Sequence, residues 1–205
     1  MLIYVFIGFS LAAIGFITPA MLNMTTVHTS LDRSVRAGIS FGIGAASINS
    51  IHALIAFSSL QFLDTNPQYI LWMQRLGIVV FLILSYVFYK KSKTVAVAKE
   101  RKDGIHPFFH GLVLSAINML GLPYYFTSGI ALEASREILI TSPINYLLAI
   151  GVFLGGVFDF SIYAIAAKPI AKRSELISKN INIFLAVFFV FFACALAVKV
   201  IFFAS

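Results

Sequence analysis

Charge is what this sequence has least of. Only 11% of its 205 residues are Asp, Glu, Lys or Arg, where a soluble domain carries about 25%. A water-exposed globule is thereby excluded. Cysteine is nearly absent as well: Cys194 stands alone, which leaves no disulfide framework and no cysteine-pair chemistry. No phosphate-binding loop, no His and Cys cluster at metal-ligand spacing and no nucleophile elbow occurs. The chain therefore gives no motif for ATP-driven work, and neither a metal nor a cofactor is expected. The first apolar run has no basic segment before it and is too long for the core of a signal peptide, so it reads as a membrane span.

What the chain has instead is length of apolar run. Hydrophobic residues make up 60% of it and mean hydropathy is +0.95. Crossing about 30 Å of hydrocarbon at about 1.5 Å per residue takes about 20 apolar residues. Six runs qualify: Leu2 to Thr26, Ala37 to Leu63, Tyr69 to Tyr89, Phe108 to Leu132, Pro143 to Ala167 and Ile181 to Phe203. None alternates as a barrel strand would. The expected fold is all-α, a polytopic membrane bundle of six transmembrane helices. Trp72, Tyr69 and Tyr89 fit aromatic belts at the interfaces.

The connections carry the basic residues. Of 15 Lys and Arg, 12 fall in three loops: Arg33 and Arg36; Lys90, Lys91, Lys93, Lys99, Arg101 and Lys102; and Lys168, Lys172, Arg173 and Lys179. By the positive-inside rule these loops face the cytoplasm, which puts both termini outside and the protein in the cytoplasmic (inner) membrane as a multi-pass chain. Scattered over short loops without a recognition motif, the charge does not suggest a nucleic-acid partner. The partners expected are the lipid bilayer and a small-molecule substrate, and the exposed surface of so small a bundle leaves room for a homodimer.

The polar stretch 90–107 divides the chain into 1–89 and 108–205, each with three spans. An odd number per half inserts the second half upside down, the arrangement of an inverted repeat. Internal echoes agree. The first span of each half is interrupted by a polar, Pro-containing element, Thr18 to Asn23 in one and Asn118 to Pro123 in the other. The second spans pair without a gap when Asn49 is set against Asp159. Pro19 and Pro123 lack a backbone donor, and the carbonyls they free cannot be satisfied by lipid. Such breaks are tolerated where they face a cavity or a neighbouring helix, and in transporters they bind ions or zwitterions. A plain proline kink is the bland alternative for either one alone.

Asp159 is placed about nine residues, roughly 13 Å, from the cytoplasmic end of its span. A carboxyl at that depth is functional by default. It is the candidate for carrying a coupling proton or holding a substrate ammonium. Asn49 and Asn118 read equally as substrate ligands or as polar glue between helices. His52 reads either as a packed histidine or as an ion-coupling group. Thr18, Pro19, Asn23 and Pro123 complete the expected substrate lining. Gly38, Gly42, Gly151 and Gly155, four apart in pairs, allow close helix contact.

These residues resemble a known family. TPAMLNMTTVHTSLDRSVRAG, Thr18 to Gly38, followed by Gly42, Gly44 and His52, is similar to the N-terminal signature of the lysine exporter superfamily (LysE/RhtB type). HGLVLSAINMLGLP, His110 to Pro123, is similar to the start of that family's second half. The resemblance implies a six-span exporter of amino acids. This chain departs from the family pattern at several points. Where the family reads Thr-Pro-Gly-Pro-Asn, this chain has Thr18, Pro19, Ala20, Met21, Leu22 and then Asn23. The family's acidic residue of span two falls on Asn49, and its Asn-Pro pair of span four is Asn118-Met119, with a proline at Pro123. Asp159 matches the acidic position of span five.

The reading that follows is a secondary exporter of amino acids or similar small metabolites, proton coupled, with a midplane site at the two breaks and Asp159. An enzyme is not expected. The alternative is a membrane-embedded enzyme or a structural subunit of a larger membrane complex. An enzyme would gather ionisable groups at one membrane face, and a subunit has no need of paired broken spans.

Overall fold

The computed structural model describes residues 1–16, 21–66, 69–93, 105–118, 120–134 and 140–172, and from there 183, 186–187, 189–194, 197–198 and 200–201. The described elements are helical: α1 (Leu2–Phe16), α2 (Met21–Asp32), α3 (Val35–Thr65), α4 (Ile70–Lys93), α5 (Pro107–Ile117), α6 (Gly121–Ala134), α7 (Ser142–Ile165) and the short α8 (Ala167–Ala171). By length and composition α3 over Val35–Phe62 and α7 over Pro143–Ile165 are long and apolar enough to cross a membrane. Taken together as one span, the bent pair α1 and α2 would bring the number to three. Among the described residues the chain is all-helical, as an integral membrane protein of the helical kind is.

Local chemistry sets the helix starts. Ser34 precedes α3 and its Oγ accepts from the Ala37 amide at 3.2 Å, an N-terminal cap. Pro107 opens α5, where a missing N–H costs nothing, and the His106 Nδ1 accepts from the Phe108 amide. α7 likewise begins with a proline in its first two positions, after Thr141 in extended geometry.

The chain forms two compact units: residues 1–62 with 103–174, and residues 63–102 with 175–205. In the smaller unit the Ser85 hydroxyl of α4 donates to the Ala186 carbonyl at 2.9 Å, and Phe81 stacks on Phe189. The larger unit holds the two broken pairs, α1/α2 and α5/α6, around α3 and α7. Lipid tails are as apolar as leucine, so the hydrophobic effect adds little to helix association there; close packing and interhelical hydrogen bonds must hold it.

Close packing is visible in the way the glycines seat the helices. A Cβ on Gly8 of α1 would strike the carbonyl of Leu148, three residues before Gly151 of α7. A Cβ on Gly151 would in turn strike the carbonyl of Val5, three before Gly8, and crowd the Phe9 amide, one after it. α5 and α3 repeat the pattern. Gly111 is pressed on the Phe41 carbonyl, three before Gly44, and Gly44 on the Phe108 carbonyl and the Leu112 amide, three before and one after Gly111. Gly8 thus corresponds to Gly111, and Gly44 to Gly151.

The same contacts fix directions. α1 runs parallel to α7, and α5 parallel to α3. Gly42 meets Phe160, Gly156 meets Ala46, and Ser50 donates to the Ala149 carbonyl at 2.7 Å, so α3 and α7 are antiparallel. α1 and α5 therefore point in opposite directions. Arg33, at the turn after α2, donates to the Ile105 carbonyl at 3.2 Å, so that turn and the entry to α5 share one end of the unit.

Candidate functional site

The two interruptions fall where the polar elements stand in the sequence, and they differ in detail. Thr18 and Pro19 lie outside the described residues. Around them, the axes of α1 and α2 differ by 79°. Asn23, in the first turn of α2 and fully buried, reaches back across the break: its Nδ2 donates to the Phe16 carbonyl at 2.7 Å. That carbonyl belongs to the last residue of α1, and the final carbonyls of a helix lie beyond its own donors. The Asn23 side chain also pairs with the Tyr163 hydroxyl of α7.

At the second interruption Asn118 caps α5, with its backbone N–H shared between the Leu114 and Ser115 carbonyls at 3.1 Å each. Pro123 is not the breaking residue that its sequence position suggests. It is the third residue of α6, inside the first turn, where an N–H would have no intrahelical acceptor. It frees no carbonyl inside a helix, and it suits a helix start.

Asp159 sits on α7 with one carboxylate oxygen buried and without a hydrogen bond among the described residues. Its electrostatic neighbours are the hydroxyls of Tyr163, one turn on along α7, and Tyr125 of α6. α7 ends at Ile165, so Asp159 lies six residues from its helix end, roughly 9 Å rather than 13 Å. The register of α3 on α7, with Gly42 against Phe160, sets it level with Ile43.

Asn49 and His52 belong to another level. The buried Asn49 Nδ2 donates to the Ala45 carbonyl at 3.0 Å and to Ser115 Oγ of α5 at 3.1 Å, while the Ser115 hydroxyl donates to the same Ala45 carbonyl. This network ties α3 to α5. A Cβ on Gly121, the first residue of α6, would stand 3.0 Å from Asn49 Oδ1 and 3.2 Å from His52 Nδ1, so both side chains face the opening of α6. Along α3, Asn49 lies six residues and His52 nine from the level of Asp159, roughly 9 and 13 Å. The structure therefore gathers two groups: Asn23, Asp159, Tyr163 and Tyr125 near the first break, and Asn49, His52 and Ser115 at the second, with Asn118 as its backbone cap.

The pairing of halves also shifts. The glycine contacts equate Gly44 with Gly151, and eight residues beyond each stand His52 and Asp159. His52 and Asp159 thus each stand eight residues beyond a glycine seat, an offset different from the one that sets Asn49 against Asp159. Small residues are too common in both spans for the sequence to fix a register. Tyr125, Tyr163 and Ser115 were not singled out from sequence. For Tyr163 a signal existed, its place four residues after Asp159 on one helix face.

Interrupted helices packed against two long antiparallel apolar helices, with buried polar side chains at each interruption, define a helical membrane protein. Residues 13–200 match the LysE type translocator family, and the chain belongs to it. No curated protein and no solved structure matches the chain.

Proposed function

We propose that this protein is a secondary transporter that exports amino acids or similar small metabolites across the cytoplasmic membrane, coupled to a proton gradient. One observation carries the reading: two helix interruptions, each beside a buried polar side chain of the long helix packed against it, Asp159 at the first and His52 at the second. An interrupted helix in lipid is stable only where its open ends are satisfied by protein, water or cargo. Asp159 is the group for the coupling proton or a substrate ammonium. The polar lining of the path is Asn23, Asn49, Asn118 and Asp159, with Thr18 and Pro19 at the first break and Pro123 in the opening turn of α6.

Two inverted halves, 1–89 and 108–205, joined by the basic linker 90–107, are part of this proposal. In its support, α1 and α5 point in opposite directions, the Gly8–Gly151 seat recurs as Gly111–Gly44, and each half gives residues to both compact units. In this arrangement the two polar groups lie on either side of the middle of the spans rather than at one midplane point. The reading is tested by comparing all metabolites in the medium of cells with and without the protein, then loading the enriched compound into vesicles. Efflux that follows an imposed proton gradient is the expected result.

A further inference from the structure

We propose that the opening of α6, framed by Gly121, Leu122, His52 and Asn49, is a seat for the carboxylate of a small α-amino acid; this rests on the exporter reading above. α6 is 14 residues long and starts at the second interruption. Its first donors, the N–H groups of Gly121 and Leu122, have no helical acceptor, and among the described residues no backbone carbonyl outside the helix accepts from them. Leu120 before them has no side-chain acceptor, Pro123 after them has no N–H, and no acidic residue stands in the first turn. A helix start left in this state attracts an anion through its aligned N–H groups and dipole.

The second observation is independent of the helix. His52, on α3, is 7% exposed, and its Nδ1 is buried without a hydrogen-bond partner among the described residues. That atom stands 3.2 Å from the point where a Gly121 side chain would begin. A buried imidazole nitrogen left unpaired costs free energy unless something binds it, and with its proton on Nδ1 it adds a third donor to the two N–H groups.

Asn49 then selects among anions. Its Nδ2 is committed to Ala45 and Ser115, which fixes Oδ1 toward the same opening, 3.0 Å from the same point. Oδ1 is an acceptor and repels a bare phosphate or sulfate. It suits a molecule whose carboxylate lies next to a cationic donor, which is the arrangement of an α-amino acid. Gly121 leaves the space; any side chain there would press on both Asn49 and His52.

The test uses the full-length protein in detergent and its thermal unfolding. Each of the twenty common amino acids is added in millimolar amounts, and every one that raises the midpoint is compared with its methyl ester, which keeps the ammonium and masks the carboxylate. The expected result is at least a tenfold weaker affinity for the ester on the parent chain, and at least a tenfold loss for the free amino acid in His52→Ala, with part of it restored in His52→Gln. An ester that binds within twofold of its acid overturns the seat while leaving an amino-acid transporter in place. Because that comparison needs no variant, it decides the matter even where His52→Ala does not fold. If no amino acid raises the midpoint, the amino-acid reading of the cargo falls, and the seat with it.

Discussion

Asn23 donates to the carbonyl of Phe16 across the first interruption, 2.7 Å from nitrogen to oxygen, and so closes the end of α1 with a side chain from the start of α2. Asn23→Ala leaves that carbonyl without its partner in a buried setting, at a cost of about 1–3 kcal/mol. The expected outcome is a lower unfolding midpoint together with slower transport per folded molecule. An unchanged midpoint would show that the amide bond does not brace the break.

Gly8 and Gly111 hold equivalent places, each against a backbone carbonyl of a long helix. Gly8→Ala and Gly111→Ala should therefore destabilise the protein by similar amounts, about 1–3 kcal/mol each, as overpacking does. Denaturant unfolding of the two variants side by side checks this. A large effect in one and none in the other would argue against the equivalence of the two seats.

Asp159→Asn removes a charge and a titrating site while nearly keeping the shape. Gradient-driven accumulation of the cargo in reconstituted vesicles should be abolished. If substrate exchange survives in the variant, Asp159 carries the proton; if exchange is lost too, it holds the substrate. Accumulation equal to that of the parent would make Asp159 a structural residue.

Pro123→Ala should cost no more than about 1 kcal/mol, the loss of a proline at a compatible site, because the restored N–H lies in the first turn of α6 and gains no intrahelical acceptor. A strong stabilisation with a loss of transport would instead show that the proline interrupts a helix that is otherwise continuous.

For topology, a reporter active only in the cytoplasm should work when fused after Lys99 or Lys172 and fail after Ser205. Activity after Ser205 would be incompatible with three spans per inverted half.

The helical class and the two interruptions were legible in the sequence because each follows from composition: long apolar runs leave no choice but helices, and a polar, Pro-containing cluster inside one marks a break. The depth of Asp159 was less legible, since helix ends depend on caps such as the one at Ala166 that hydropathy does not see. What could not be read was register. Which turn of α3 meets which turn of α7 is decided by where Gly42 admits Phe160 and Gly156 admits Ala46, and a one-turn slip in small residues looks the same in sequence. The neighbours Tyr125 and Tyr163 are common membrane aromatics until the fold brings them within electrostatic reach of Asp159.

The seat of α1 on α7 also constrains how the protein is made. Gly8 leaves the ribosome about 140 residues before Gly151, which at about 5–20 residues per second is a delay on the order of ten seconds. Through that interval α1 has to persist in the membrane with its glycine groove filled by lipid. Its sequence is suited to waiting: it bears no charged side chain, and its one serine already donates to the Phe6 carbonyl of its own helix. α5, by contrast, is born beside a finished α3. The two structurally equivalent seats are thus assembled under different circumstances, one as soon as α5 is made and the other only when most of the chain has been synthesised.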